Sequence, residues 1–200
     1  MHPNNAFRFD SDAAILDWAV ARGFAHIVAD TPAGMMVVHA PIVAARPGAV
    51  RFHVSRGNRI IPHLDGARVL ISIAGPDGYI TPNWYVDGAQ SVPTWNYVSA
   101  EIDGTARLLN EESLIDQLDT LAALHEPRVA PDRPWTRDKM SEDRFRAMLK
   151  AIAGFEVTIA AIRGTTKLSQ NKNDADAAGV IAGLRASGNL DLADATEATR

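Results

Sequence analysis

Four residues with hydrogen-bonding side chains lie close together directly behind a predicted strand: Lys167, Ser169, Gln170 and Asn171. The strand, from Phe155 to Ile162, is predicted by its alternation of side-chain character. A surface loop needs only one or two polar residues to stay soluble. A cation, a hydroxyl and two amides this close to a buried strand favour a site that binds a polar ligand.

A second polar stretch opens the strand predicted from Thr94. Asn96 shares a face with Val98 and therefore points inward, where a buried amide must be hydrogen-bonded. Either the edge of a ligand ring or a neighbouring carbonyl satisfies that requirement. Trp95 points to the opposite face, where it either packs in a subunit interface or stacks on a ligand.

A third stretch follows the strand predicted from Val50. Period-two alternation places Phe52 and Val54 on one face of this strand and His53 and Ser55 on the other. The next residues, Arg56-Gly57-Asn58-Arg59, form a turn that enters a short helix. Such a turn presents backbone N–H groups and guanidinium forks to an anion such as a phosphate monoester. Solvated arginines at a strand end explain the same residues, and the two interpretations stay open.

The aromatic segment Tyr79–Tyr85 is broken by Pro82. It is either a rigid loop that caps the end of a barrel, or a wall in which Trp84 and Tyr85 contact a flat aromatic ligand. The sequence alone leaves both interpretations standing.

Residues for acid–base or nucleophilic catalysis are not evident in the sequence. There is no cysteine and no G-x-S-x-G motif. The acidic pairs at Glu111 and Glu142 stand at predicted helix starts, where the helix dipole explains them. His39 and His53 have no spacing typical of metal ligands. If this protein does chemistry, a cofactor carries it.

The composition is that of one globular domain, predicted to span residues 1–188, followed by a flexible tail at 189–200. Apolar residues make up 46% and charged residues 22% of the 200. No apolar run reaches the roughly 18 residues of a membrane span, and no signal peptide is recognisable, so a cytoplasmic location is expected. Because the net charge is −4, the chain is not expected to bind DNA phosphates directly.

Short predicted strands follow one another with tight turns, which indicates antiparallel pairing. A helix from Ser11 to Arg22, capped by Asp10 or Ser11, precedes them. Gly75–Gly78 is predicted to be a turn, and the further helices are expected at 110–123, from Ser141 to Gly154, and at 173–185. Six or seven antiparallel strands with peripheral helices predict a mainly β protein of the α+β kind, built as a closed or half-closed barrel.

An ordered set of motifs from about Phe24 to Arg185 resembles the PaiB-type FMN-binding negative transcriptional regulators, a branch of the flavin split-barrel superfamily. The motifs are Val37–Pro41, Phe52–Asn58, Tyr79–Tyr85, Val92–Val98, Gly154–Glu156, Lys167–Asn171 and Ala178–Leu184. The resemblance implies a split β-barrel that binds FMN and forms a homodimer with the flavin cleft at the subunit interface.

The resemblance also implies roles for the candidate residues. Residues 52–58 would line the flavin and its phosphate tail, with Arg56 and Arg59 as cations. Thr94, Trp95 and Asn96 would approach from the dimer-facing strand, and Lys167, Ser169, Gln170 and Asn171 would close over the ring or the phosphate. An FMN-dependent oxidoreductase or flavin reductase is the alternative function. A barrel adapted to haem, with His39 or His53 as ligand, is a third.

Overall fold

A computed structural model describes residues 2–9 and 11–200, and these residues form six strands and five α-helices. The strands are β1 (Phe24–Thr31), β2 (Gly34–Ala44), β3 (Ala49–Ser55), β4 (Arg68–Ile80), β5 (Thr94–Leu108) and β6 (Ile152–Lys167). The helices are α1 (Asp12–Arg22), α2 (Glu111–Val129), α3 (Glu142–Leu149), α4 (Asp174–Ala186) and α5 (Leu190–Glu197). No helix of the described residues is long and apolar enough to cross a membrane.

The six strands close into a barrel in the order β1-β2-β3-β6-β5-β4, which confirms the predicted mainly β fold with peripheral helices. The pairs β1–β2, β2–β3, β3–β6 and β1–β4 are antiparallel. Alternate residues point inward, so Phe52 and Phe155 are both buried and their rings stack 5.4 Å apart. This burial of large apolar side chains from paired strands supplies the main stabilisation of the barrel.

The chain forms two compact units. Unit 1 contains residues 1–16, 74–100 and 163–200, and unit 2 contains residues 17–73 and 101–162. The paired residues of all four ladders named above lie in unit 2, including the β3–β6 ladder from Ala49 to Ser55. Unit 1 contains the helices α4 and α5 and the segments that carry most of the polar candidate residues.

Local signals account for most helix ends. Ser11 Oγ accepts a hydrogen bond from the N–H of Ala14, as an N-cap does, whereas Asp10, the other predicted cap, lies outside the described residues. Gly23 ends α1 with a φ of 73°, in the left-handed region that glycine adopts easily. Asn110 caps α2 as predicted, since its Oδ1 accepts from the N–H of Ser113.

Two predicted interruptions are wrong. The expected turn at Gly75–Gly78 lies inside β4. Tertiary contacts explain this, because a Cβ on Gly78 would lie 2.9 Å from Leu192 and Asn189 Nδ2 donates to the carbonyl of Asp77. Close packing around a glycine thus holds a turn-like sequence in a strand.

Gly154 is also not the end of a helix. The helix α3 stops at Leu149, and Gly154 lies within β6, where its carbonyl accepts from the N–H of Leu109. A Cβ at this position would lie 2.8 Å from Leu114 Cδ1. The glycine is therefore needed for close packing of α2 rather than for a helix stop.

The structure has more helix than predicted at two places. The helix α2 continues past Ala123 to Val129, with Pro127 inside its last turn. The segment 190–197, in the region expected to be a flexible tail, forms α5, and both Leu192 and Ala193 of this helix are buried. This helix has only eight residues, most of them small or polar, so its apolar periodicity in the sequence is weak.

Candidate cofactor site

A pocket of about 460 Å³ lies in unit 1. We call it the lysine pocket, and its lining residues are His2, Asn4, Phe7, Tyr85, Gln90, Ser91, Val92, Thr94, Asn96, Lys167, Ser169, Asn171 and Lys172. Five of the residues predicted from the sequence are among them: Thr94, Asn96, Lys167, Ser169 and Asn171. The structure therefore brings together the polar start of β5 and the polar segment after β6.

Asn96 holds these two segments together. Its side chain is buried, as the alternation of β5 predicts, and its Nδ2 donates to Ser169 Oγ at 2.9 Å. Lys167 Nζ donates to Thr94 Oγ1 beside it. The partner of the buried amide is thus a hydroxyl of the same pocket. A buried polar pair of this kind fixes the relative position of both segments, because separating the partners would leave them unsatisfied.

Ser169 has an unusual backbone conformation. Its φ of 63° places a non-glycine residue in the left-handed region, which costs about 1–3 kcal/mol and persists only where surrounding contacts offset that cost. Ser169 is itself buried, and its carbonyl accepts from the N–H of Lys172 at 3.0 Å. Such strain is concentrated at functional sites in proteins, where it fixes the direction of a side chain.

The electrostatics of the lysine pocket favour an anion. Burial lowers the pKa of Lys167, because the ammonium group is partly removed from water. Lys172 is the second cation, and none of the described lining residues carries a carboxylate. A bound anion would restore the stabilisation that the Lys167 ammonium loses on burial.

Lys172 and Tyr85 line the lysine pocket although the sequence analysis does not predict them as cofactor-binding residues. The Lys172 ammonium lies 4.1 Å from the centroid of the Tyr85 ring, a cation–π contact. Burial, and secondarily the carboxylate of Asp176, raise the pKa of the Tyr85 phenol. Lys172 directly follows Asn171 in the same polar run, and this position is the sequence signal that could have identified it as a site residue. Trp84, weighed as a wall beside Tyr85, instead packs its ring against Gly183 of α4.

Gln170 and Trp95 lie outside the lining of the lysine pocket. Gln170 folds back on its own segment, where Oε1 accepts from the N–H of Leu168 and Nε2 donates to the carbonyl of Thr166. Trp95 is half exposed on the outer face of β5, and its Nε1 donates to Asp77. Its ring meets the exposed Tyr79 edge-on at 6.2 Å. Gln170 shapes the loop, and Trp95 offers an aromatic surface on the outside.

The candidate residues from Phe52 to Arg59 belong to unit 2. Phe52 and Val54 are buried in the barrel, whereas Ser55, Arg56 and Arg59 are exposed. Asn58 is half-buried and its Oδ1 accepts from the N–H of Ile60. The side chains of Phe52 and Val54 therefore belong to the core, whereas those of Arg56 and Arg59 face solvent.

The backbone of this turn does not form the expected anion cradle. The N–H groups of Arg56, Gly57 and Asn58 donate to Ala151, Ser55 Oγ and Ser55 respectively. The first of these bonds continues the pairing of β3 with the chain before β6, and the other two close the turn on Ser55. The Arg56 side chain instead lines a separate pocket of about 270 Å³, together with Asn110 and Lys150 among others.

His53 points toward α2. Its Nδ1 lies 3.3 Å from Gln117 Nε2, and Gln117 is fully buried with an Oε1 that no described residue hydrogen-bonds. Burial lowers the pKa of His53. His53 lies on the face of β3 opposite Phe52, as the alternation predicts, and its contact with α2 leaves the imidazole half-buried.

Comparison with known proteins places the chain in a family. Residues 1–161 match the family model described as "Putative FMN-binding domain". The chain belongs to this FMN-binding family. FMN is accordingly its cofactor, which agrees with an anion-favouring pocket that has aromatic and amide residues in its lining.

A curated relative from Bacillus subtilis (strain 168), Protease synthase and sporulation protein PAI 2, is 35% identical over 117 residues. The match covers 58% of this chain and 55% of the relative, so the chain spans about half of that protein's length. This relative carries the PAI name, in agreement with the PaiB-type resemblance of the sequence motifs.

Two solved structures share the fold. The FAD and haem binding protein from Mycobacterium smegmatis has a TM-score of 0.60 at 18% identity, over 86% of this chain and 78% of that one. The flavocytochrome Anf3 from Azotobacter vinelandii has a TM-score of 0.62 at 15% identity, over 89% and 78%. Both are flavoproteins by description, and the likeness confirms the split-barrel fold.

The lowered pKa of His53 predicts a loss of stability in acid. The unfolded chain takes up the imidazole proton at a higher pH than the folded protein, so the free energy of unfolding falls as the pH drops below about 6.5. Urea denaturation at about pH 7.5 and pH 5.5 should show a smaller acid-induced loss in His53→Asn than in the wild-type protein. Equal pH dependence in the two proteins would remove His53 as a cause.

Proposed function

We propose that this protein is a PaiB-type negative transcriptional regulator that binds FMN in the lysine pocket. The observation that carries the proposal is the composition of this pocket: two lysines, buried amide and hydroxyl groups, and aromatic rings, with no acidic residue among the described lining. FMN needs one anion site for its phosphate, a few polar partners for the ring edge, and apolar walls for the ring.

The pocket fits this ligand in size and in donors. Its volume of about 460 Å³ lies within the range of small-molecule and cofactor sites. The ammonium groups of Lys167 and Lys172 are suited to the phosphate or to the electron-rich edge of the ring. Asn171, exposed at the rim, adds an amide donor and acceptor. Bound FMN would supply reversible redox chemistry, and these side chains would orient it.

Regulation through a partner protein fits the charge of the chain better than direct operator binding. With a net charge of −4, the protein has no general attraction for phosphate backbones. In this proposal, the flavin state of the lysine pocket is communicated to a DNA-binding partner. A direct role would require tight, salt-sensitive binding of the isolated protein to duplex DNA in a mobility-shift assay.

The quaternary structure and location follow the same proposal. We infer a cytoplasmic homodimer in which the flavin cleft lies at the subunit interface, with the exposed Arg56 and Arg59 as additional cations for the ligand. The half-exposed Trp95 and Tyr79 form an aromatic surface suited to such an interface.

The dimer is expected at micromolar concentration in sedimentation velocity, and Trp95→Ala should shift it toward monomer, because interface aromatics contribute much of the binding free energy. A wild-type protein that sediments as a monomer at this concentration contradicts a shared cleft.

Neutralising Lys167 should weaken FMN binding. Lys167→Met keeps the aliphatic stem and removes the charge, so the loss of a charge-assisted hydrogen bond should raise the Kd about tenfold or more. Quenching of FMN fluorescence at fixed ionic strength measures this change. Lys139→Met, an exposed lysine of unit 2, is the matched control and should bind as the wild type does. An equal Kd for Lys167→Met and the control removes Lys167 from the site.

Reduction of the bound flavin separates a regulator from an enzyme. We expect the visible band of the FMN complex to persist when NADH or NADPH is added under anaerobic conditions. Chemical reduction by dithionite is the control that shows the flavin is reducible. Rapid bleaching by a nicotinamide would identify the protein as a flavin-dependent oxidoreductase or flavin reductase and contradict the purely regulatory role.

A further inference from the structure

The loop after β6 is held from outside by Arg200. Its Nη2 donates to the carbonyl of Ser169 at 2.6 Å, and its Nη1 donates to the carbonyl of Lys172 at 3.2 Å. One guanidinium group therefore bridges the two loop residues whose side chains line the lysine pocket. We propose that Arg200 is a positioning residue that fixes this loop in its ligand-binding form, an inference that rests on the proposed FMN site.

The loop has a reason to need such support. Ser169 adopts the left-handed conformation, which is unfavourable for a residue with a side chain. Its carbonyl accepts two hydrogen bonds, one from the N–H of Lys172 and one from Arg200. A planar guanidinium presents its donors in a fixed fork, so it sets the spacing of the two carbonyls that it joins.

The backbone that carries this guanidinium is attached to a packed helix. The N–H of Arg200 donates to the carbonyl of Glu197, the last residue of α5. This helix is anchored by the buried Leu192 and Ala193, and Thr196 Oγ1 donates to the carbonyl of Leu192. Arg200 thus extends from an anchored helix, and only a quarter of its side chain is exposed.

The ion pair that Arg200 also forms is of lesser weight. The distance from its Nη1 to Asp174 Oδ1 is 3.8 Å, and the carboxylate is fully exposed, where water screens the attraction. The two carbonyl contacts are shorter, and the one to Ser169 is partly buried. The role of Arg200 therefore depends on the geometry of the guanidinium, and a lysine should not replace it.

The family match does not account for this arrangement. The matched segment ends at residue 161, whereas Lys167, Ser169, Asn171 and Lys172 all follow it. The chain beyond the matched segment therefore contributes both the loop that completes the lysine pocket and the residue that holds the loop.

The loss of Arg200 has two consequences in this account. In the protein without FMN, the backbone of residues 168–172 should exchange its amide hydrogens faster, because Ser169 can leave its unfavourable conformation. The Asn96–Ser169 hydrogen bond and the contact of Lys172 with Tyr85 then form less of the time. FMN affinity should fall about tenfold, since part of the binding free energy must order the loop.

Hydrogen–deuterium exchange of the FMN-free protein and FMN titration together test the proposal in Arg200→Gln and Arg200→Lys. Both variants should speed exchange in residues 168–172, leave β1 and β2 unchanged, and raise the Kd about tenfold. Arg185→Gln is the matched control, because Arg185 pairs with Asp194 and Glu197 of α5 and does not touch the loop. It should match the wild type in both measurements.

Methylguanidinium provides a readout that a general loss of stability would not alter. Added at millimolar concentration to Arg200→Gly, it should restore slow amide exchange in the loop and restore FMN affinity. In the wild type it should change neither the exchange rate nor the affinity. Wild-type exchange rates in the Arg200 variants, or faster exchange with an unchanged Kd, would overturn the positioning role. If the wild-type protein takes up no FMN, the proposed function fails, and the exchange measurement alone still decides whether Arg200 holds the loop.

Discussion

The hydrogen bond from Asn96 to Ser169 is the interaction on which the candidate site depends. It joins the start of β5 to the loop after β6, and both partners are buried. Without it, a buried amide would be unsatisfied, at a cost of about 1–3 kcal/mol. The alternation of β5 directs Asn96 inward, and the left-handed backbone of Ser169 directs the hydroxyl to meet it. The geometry of β5 and the strained backbone of Ser169 together produce this hydrogen bond.

Charge is the basis of the anion preference proposed for the lysine pocket. Lys167 is held against Thr94 by a hydrogen bond and is partly removed from water, which makes its charged form less favourable in the free protein. An anionic ligand reverses this penalty, whereas a neutral or cationic ligand does not. An acidic protein can thus have a pocket suited to a phosphorylated cofactor, because the described lining contains two lysines and no carboxylate.

Local patterns predicted much of the fold and part of the site. The alternation around Asn96 and the density of polar residues after Ile162 were sufficient to find five lining residues of the lysine pocket. Short β segments with tight turns were sufficient for an antiparallel barrel. These features depend on residues close in sequence, where side-chain periodicity and turn propensities act directly.

Such local patterns do not predict contacts between residues that are far apart in the sequence. The strand β4 runs through Gly75–Gly78 because Asn189 and Leu192 pack against it, and nothing in the local sequence indicates that contact. Lys172 was missed although it adjoins the predicted run. The sequence places Arg200 in a predicted tail, because no motif indicates that its guanidinium contacts two carbonyls of a loop some thirty positions earlier.

The central claim is that FMN occupies the lysine pocket, and a crystal structure of the protein grown with FMN tests it most directly. The account predicts flavin density against Lys167, Asn171 and Lys172, with the Asn96–Ser169 hydrogen bond retained. Flavin density elsewhere, with the lysine pocket filled only by water, would contradict it.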